Sequence, residues 1–228
     1  MRIEYFLGVG QSKKSAHWLK QEFPDISFHT APNYLRHSTH EAMADVGRTA
    51  VARHLTAAGP YIVFAESQAA PAVVAAIERS HARLPDRLVL LQPLGLNRDA
   101  LGATPVSRRK ELYRRSRIFW GQKSQSLSIR GNRWTLMTLV LQSLRYICNL
   151  NNAYEIGASM DITRDLTKVA EKMPVEIFAT SDDSLFPFDE LKQVKGATMH
   201  RLSGTHLNRA TPLGAQQLKA VLGQIRYE

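Results

Sequence analysis

A chain of 228 residues with 44% hydrophobic and 22% charged side chains has the balance of a folded globular protein. It is long enough to bury a core and short enough for one domain, with or without an inserted subdomain. It holds no run of 18 apolar residues, no secretory pattern at its start and one cysteine, Cys148. These absences argue against a membrane span, a disulfide framework or a multi-cysteine zinc site, so a cytoplasmic protein is expected.

In chain order, IEYFL at 3–7 reads as a strand, GVGQS as a glycine-rich turn and SAHWLKQEF as a helix ended before Pro24. ISFHT is a short strand and APNYLRH a loop. Ser38 and Glu41 make a capping box, behind which Met43, Val46, Ala50, Val51 and Leu55 recur at helical spacing up to Gly59-Pro60. YIVFA is a continuous apolar strand, PAVVAAIERSHARL a helix with proline in its first turn, and RLVLLQP another strand. From about residue 98 to 172 the alternation breaks. A basic run is followed by a helical stretch from Trp134 to Leu150 and by a further helix within Met160 to Lys172. It then resumes with PVEIFATSDD as strand and loop, FDELKQV as a short helix, ATMHRL as a strand and SGTHLN as a loop. Pro212 opens a last helix with Leu218, Val221, Leu222 and Ile225 on one face.

Strands without polar alternation, separated by helices, point to a parallel sheet covered on both faces. The expected fold class is α/β: a three-layer α/β/α sandwich with a mostly parallel sheet of about six strands. Its core takes residues 1–97 and 173–228, and a basic helical cap insertion takes 98–172.

In such sheets functional residues gather beyond the carboxyl ends of the strands. The polar residues placed there are Ser67 after YIVFA, Asp182 and Asp183 after VEIFA, and His206 after ATMHRL. A serine hydroxyl is a weak nucleophile until an adjacent base takes its proton. A histidine can take that proton and return it to the leaving group, and a carboxylate fixes the imidazole tautomer. Attack places negative charge on the substrate oxygen, which needs backbone donors. The N–H of Gln68, at the mouth of a helix, and that of Val9, in the glycine turn, are the candidates.

At this point the sequence resembles the α/β-hydrolase superfamily. AESQA at 65–69 stands where the family has G-x-S-x-G, with alanine for both glycines. LGVG at 7–10 is similar to the family's oxyanion loop, with Leu7 where histidine is usual. DDSLFP is similar to its acid loop and GTHLN to its final histidine loop. The resemblance implies Ser67 as nucleophile, Asp183 as acid with Asp182 as the alternative, and His206 as base. It also implies Val9 and Gln68 as oxyanion donors and 98–172 as the cap. The usual two strands before the oxyanion strand have no room here, so a shortened, six-stranded sheet is expected. The activity implied is a serine hydrolase acting on an ester, thioester or related acyl substrate through an acyl-enzyme, with no cofactor and no metal.

Simpler roles stand beside these. Ser67 can be a turn or cap serine, His206 a loop histidine, Glu66 a solvated or substrate-shaping neighbour, and Ser12 a cap for the first helix. His37 and His40 show the one paired histidine spacing, without a carboxylate to complete a metal site. Cys148 reads as a packing residue.

The net charge of +10 is uneven. Pro105 to Arg133 holds nine Lys or Arg and one acid, a local +8, which leaves +2 for the rest of the chain. Arg108, Arg109, Arg114, Arg115 and Arg117, interleaved with Tyr113, Phe119 and Trp120, could steer an anionic acyl substrate or grip phosphates. Nucleic acid is the weaker partner reading, since no known binding motif accompanies the run. Two further readings stay open: a non-catalytic α/β-hydrolase-like binding protein using the basic insertion, and a lyase or transferase on the same scaffold.

Overall fold

The computed structural model describes residues 2–8, 13–30, 49, 51–55, 59–80, 83–128, 157–204 and 212–226. Six strands, β1 (Arg2–Leu7), β2 (Ile26–Thr30), β3 (Tyr61–Glu66), β4 (Arg87–Leu91), β5 (Val175–Thr180) and β6 (Ala197–Leu202), form one sheet. Their order is β2-β1-β3-β4-β5-β6 and each neighbouring pair is parallel. Among the described residues they are accompanied by the helices α1 (Lys13–Glu22), α2 (Ala69–Glu78), α3 (Pro105–Ser128), α4 (Thr163–Ala170) and α5 (Pro212–Arg226).

Alternate residues of the apolar strands feed two cores, which is why β3 and β5 are buried at every position. Ile3, Tyr5, Leu7, Ile62, Phe64, Val89, Leu91 and Phe178 pack with Leu19 and Phe23 at α1 and with Leu218, Val221, Leu222 and Ile225 of α5. Phe6, Tyr61, Val63, Ala65, Leu88, Leu90, Val175, Ile177 and Ala179 pack with Val73 and Ile77 of α2 and with Leu166 and Val169 of α4. Val51 and Leu55 join this second core. The three-layer α/β/α arrangement follows from that division, and the apolar face expected of the last helix is the one α5 buries.

Two helices are shorter than their sequence patterns. The α2 pattern runs on to Leu84, yet the helix stops at Glu78. Segment 83–86 is engaged elsewhere: the Tyr61 hydroxyl donates to the Arg83 carbonyl at 3.0 Å, and Tyr61 N–H donates to the Asp86 carboxylate at 2.7 Å. FDELKQV yields one 3-10 turn, Phe188–Glu190. Leu191 is then extended, because Lys192 N–H donates to the Leu96 carbonyl at 2.7 Å and draws the chain onto the β4 loop.

Between β4 and β5 the chain builds two different things. The 24-residue α3 begins with Pro105 in its first position. A reciprocal cap precedes it: Thr104 N–H donates to Ser107 Oγ at 3.0 Å, and Ser107 N–H donates to Thr104 Oγ1 at 3.1 Å. α4, by contrast, lies within 98–172 but packs on the sheet, with Leu166 and Val169 fully buried. Of the helical reading from Ser38 to Leu55, residues 49, 51 and 52 are helical and 38–48 and 50 lie outside the described residues; so do the reading at Trp134 to Leu150 and Ser12, His37, His40 and Cys148.

Candidate active site

Strand order reverses direction between β1 and β3: the chain moves from β1 outward to β2, then returns to place β3 on the other side of β1. A crevice opens beyond the carboxyl ends of two strands at such a point, and ligands bind there in open α/β sheets. Gly8 follows β1 and Ser67 follows β3, so the sequence delivers the start of its glycine turn and its candidate nucleophile to this one place. The two touch. A Cβ built on Gly8 would lie 3.1 Å from the Ser67 Cβ and 3.3 Å from the Glu66 carbonyl.

Ser67 occupies the left-handed region, with φ of 52°. A non-glycine residue holds that conformation only when its surroundings over-determine it. Three hydrogen bonds do so here. Ser67 N–H donates to the Leu91 carbonyl at 3.0 Å, and the Ser67 carbonyl accepts from Ala70 N–H and Leu94 N–H, both at 3.2 Å. The small neighbours make the turn fit, since Ala65 and Ala69 bury their methyl groups completely or nearly so in the α2 core. Gln68 follows at the N-cap of α2 with helical φ of −69°. The first turn of a helix directs N–H groups outward without intrahelical acceptors.

Glu66 points to the other face of the sheet. It is buried, and the Tyr5 hydroxyl donates to its Oε2 at 3.1 Å. Of the two roles expected from sequence, solvated or substrate-shaping neighbour, burial rules out the first, because its place at the last position of a central strand encloses the carboxyl.

The acid loop follows β5 on the same edge of the sheet. Asp183 is 1% exposed whereas Asp182 is exposed, so burial distinguishes the two aspartates that the sequence leaves open. Asp183 Oδ1 accepts from Leu185 N–H at 2.7 Å and from Phe186 N–H at 3.1 Å, which bends the loop around the carboxylate. The Leu185 carbonyl is held in turn by Asn97 Nδ2 at 3.2 Å and by Arg115 Nη1 at 3.4 Å. Arg115, buried on α3, also pairs with Glu190 at 2.5 Å and with Glu111 at 2.8 Å. Hydrogen bonds from Arg114 and from Arg115 hold the Glu111 carboxyl down at about 2.

Gln92 carries no signal in the sequence that marks it as part of this region, and Arg115 is marked there only by its charge. Gln92 has φ of 48°, is fully buried, and ties the β4 end to β5 through Phe178 (N–H to carbonyl, 2.7 Å) and Thr180 (Nε2 to Oγ1, 2.8 Å). It couples the serine turn to the strand that leads into the acid loop. A glutamine after an apolar strand is too common a pattern to have pointed to it.

The remaining candidates lie outside the described residues: Val9 in the glycine turn, and His206. The approach to His206 is visible. β6 ends at Leu202 on the same sheet edge, Gly204 turns the chain with φ of 95°, and Gln217 Nε2 of α5 holds the Ser203 carbonyl at 3.1 Å. Among the basic-run arginines, Arg108 and Arg115 are buried and bind internal acceptors. Arg108 donates to the carbonyls of Ala158, Gly102 and Ala103. Arg109, Arg114 and Arg117 are exposed.

No protein-family model matches the chain, and no curated protein matches its sequence. Solved structures do resemble it. A bromoperoxidase from Bacillus anthracis is 12% identical with a TM-score of 0.64, covering 100% of this chain and 92% of its own. A thermophilic esterase from Thermogutta terrifontis is 15% identical with a TM-score of 0.60, covering 100% and 90%. The RedJ thioesterase of prodiginine biosynthesis in Streptomyces coelicolor is 16% identical with a TM-score of 0.57, covering 98% and 89%. These are α/β-hydrolases, and their agreement with the six-stranded parallel sheet extends over the whole chain. The chain has the α/β-hydrolase fold.

Proposed function

We propose that this protein is a serine hydrolase that cleaves an ester, thioester or related acyl substrate through a covalent acyl-enzyme. The observation that carries the reading is Ser67. A serine is held at a positive φ where strand passes into helix, at the reversal point of a parallel sheet, as a nucleophile must be if its hydroxyl is to stand clear of the backbone. Ser67 Oγ attacks the acyl carbonyl, His206 takes its proton and passes it to the leaving group, and Asp183 orients His206. Water then attacks the acyl-enzyme, with His206 again as base, and releases the acid and free Ser67. Val9 N–H and Gln68 N–H hold the oxyanion in both steps. The burial of Asp183 favours it over Asp182 for the orienting role.

We assign the part of 98–172 that leaves the sheet, α3, to a cap over this edge, and α4 to the core. The positive field of the basic run favours an anionic substrate. An esterase and a thioesterase among the structural neighbours accord with acyl transfer.

The test is hydrolysis of a panel of short- and medium-chain nitrophenyl esters and acyl thioesters. Wild type should turn over at least one, and Ser67→Ala should reduce kcat by roughly 10^3-fold or more with KM little changed. Equal rates for the two proteins on each hydrolysed substrate would remove Ser67 from the chemistry.

A further inference from the structure

We propose that the outer face of α3 is a docking surface for anionic lipid, by which the protein settles on a negatively charged membrane. This goes beyond the hydrolase reading and does not depend on it. Among the described residues, the large apolar side chains with high exposure are Val106 at 52%, Tyr113 at 51% and Ile118 at 42%, and all three lie on α3. The helix is anchored by its other face, where Arg108, Leu112, Arg115, Ser116 and Phe119 are buried at helical spacing.

Val106, Lys110, Tyr113 and Arg117 follow one another by four, three and four residues, so they form one line along the exposed side. Arg109 and Arg114 flank that line, and Ile118 lies one turn beyond Arg114. The helix carries one acid over Pro105–Phe119, Glu111, and its carboxylate is engaged by Arg114 and Arg115. Arg109, Lys110 and Arg117 are exposed beside the apolar side chains.

This mixture matches one partner chemistry better than others. Lipid headgroups offer phosphate at the level of the long cationic side chains. The layer below takes aliphatic groups, and tyrosine bridges the two levels. A nucleic-acid backbone would use the cations, and its bases could stack on Tyr113, but Val106 and Ile118 offer it neither charge nor a ring. An acidic protein would need its own apolar surface opposite them.

The experiment is co-sedimentation with phosphatidylcholine vesicles, with and without phosphatidylserine, on the full chain and two variants. Wild type should bind the phosphatidylserine vesicles only, and binding should weaken as salt rises. Arg109→Gln with Lys110→Gln and Arg117→Gln should weaken it about 100-fold, since each cation near an anionic surface contributes about five-fold. Val106→Ser with Tyr113→Ser, which leaves the charge intact, should weaken it about ten-fold. All five positions are exposed; thermal melts of both variants check that they fold, and the salt titration of wild type stands as a readout free of any substitution. Absence of binding to phosphatidylserine vesicles at low salt would overturn the proposal. So would tight binding of a single-stranded oligonucleotide that the cation variant loses and the Val106/Tyr113 variant keeps, with vesicles ignored.

Discussion

The Ser67 amide donates to the Leu91 carbonyl at 3.0 Å, one residue beyond the last β3–β4 register pair, Glu66 with Leu91. The sheet ladder thus reaches into the turn and fixes the serine from the N-terminal side, while Ala70 and Leu94 fix its carbonyl from the other. An isolated left-handed serine would relax. This one is held by the strand it leaves, the helix it starts and the loop after β4, so its strained conformation is part of the fold.

Gly8 should be the most sensitive glycine near that turn. An added methyl would meet the Ser67 Cβ at 3.1 Å and the Glu66 carbonyl at 3.3 Å, so one side of the crevice must give way. Gly8→Ala is expected to lower acyl-hydrolase activity by roughly ten-fold or more, since small misplacements of a nucleophile are costly. It should destabilise the fold by only about 1–2 kcal/mol. Parallel kcat and thermal-melt measurements check whether activity falls further than stability.

Two substitutions separate the loop-holding bonds of Asp183 from the orienting role proposed for it. Its Oδ1 holds the amides of Leu185 and Phe186, a backbone role that Asn can keep with its own carbonyl oxygen. Asp183→Asn should therefore melt close to wild type yet lose activity, by roughly 10^3-fold to 10^4-fold if the carboxylate orients the base. Asp183→Ala also strands buried N–H groups, at about 1–3 kcal/mol each. An Asp182→Asn control on the exposed neighbour should leave both quantities nearly unchanged.

The Arg115 network gives the fold an acid-sensitive link. Hydrogen bonds from Arg114 and Arg115 lower the Glu111 carboxyl to about 2 from its ordinary 4.5. A depressed carboxyl contributes stability that is fully present above pH 4.5 and is lost as pH falls through that interval toward 2. Thermal melts between pH 5 and 2.5 should show Glu111→Gln losing less stability across this window than wild type, even though it starts less stable at neutral pH. Identical slopes would place the acid sensitivity elsewhere.

Much of this was legible in the sequence because the apolar strands are unmistakable: YIVFA, RLVLL and VEIFA are buried at nearly every position, as their lack of polar alternation implies. The placing of Ser67 and Asp183 at one sheet edge follows from that alternation of strands and helices. Other features needed three dimensions. The sequence preferred Asp183 to Asp182 only through the spacing of DDSLFP to Pro187 in the family resemblance; its burial comes from how the loop folds around one carboxylate. α2 and the 3-10 turn at Phe188 stop early because Tyr61 and Leu96, remote in sequence, claim their backbone groups. Arg108 and Arg115 are candidates in the sequence for steering an anionic substrate or gripping phosphates, yet helical phasing turns them inward onto internal acceptors.

The most direct test of the central claim is reaction with a fluorophosphonate probe, followed by peptide mapping. Wild type should be labelled on Ser67, and labelling should vanish in Ser67→Ala, in His206→Ala and after heat denaturation. A protein that probes of several shapes leave unlabelled, or one labelled on a residue other than Ser67, would contradict the assignment of Ser67 as an activated nucleophile.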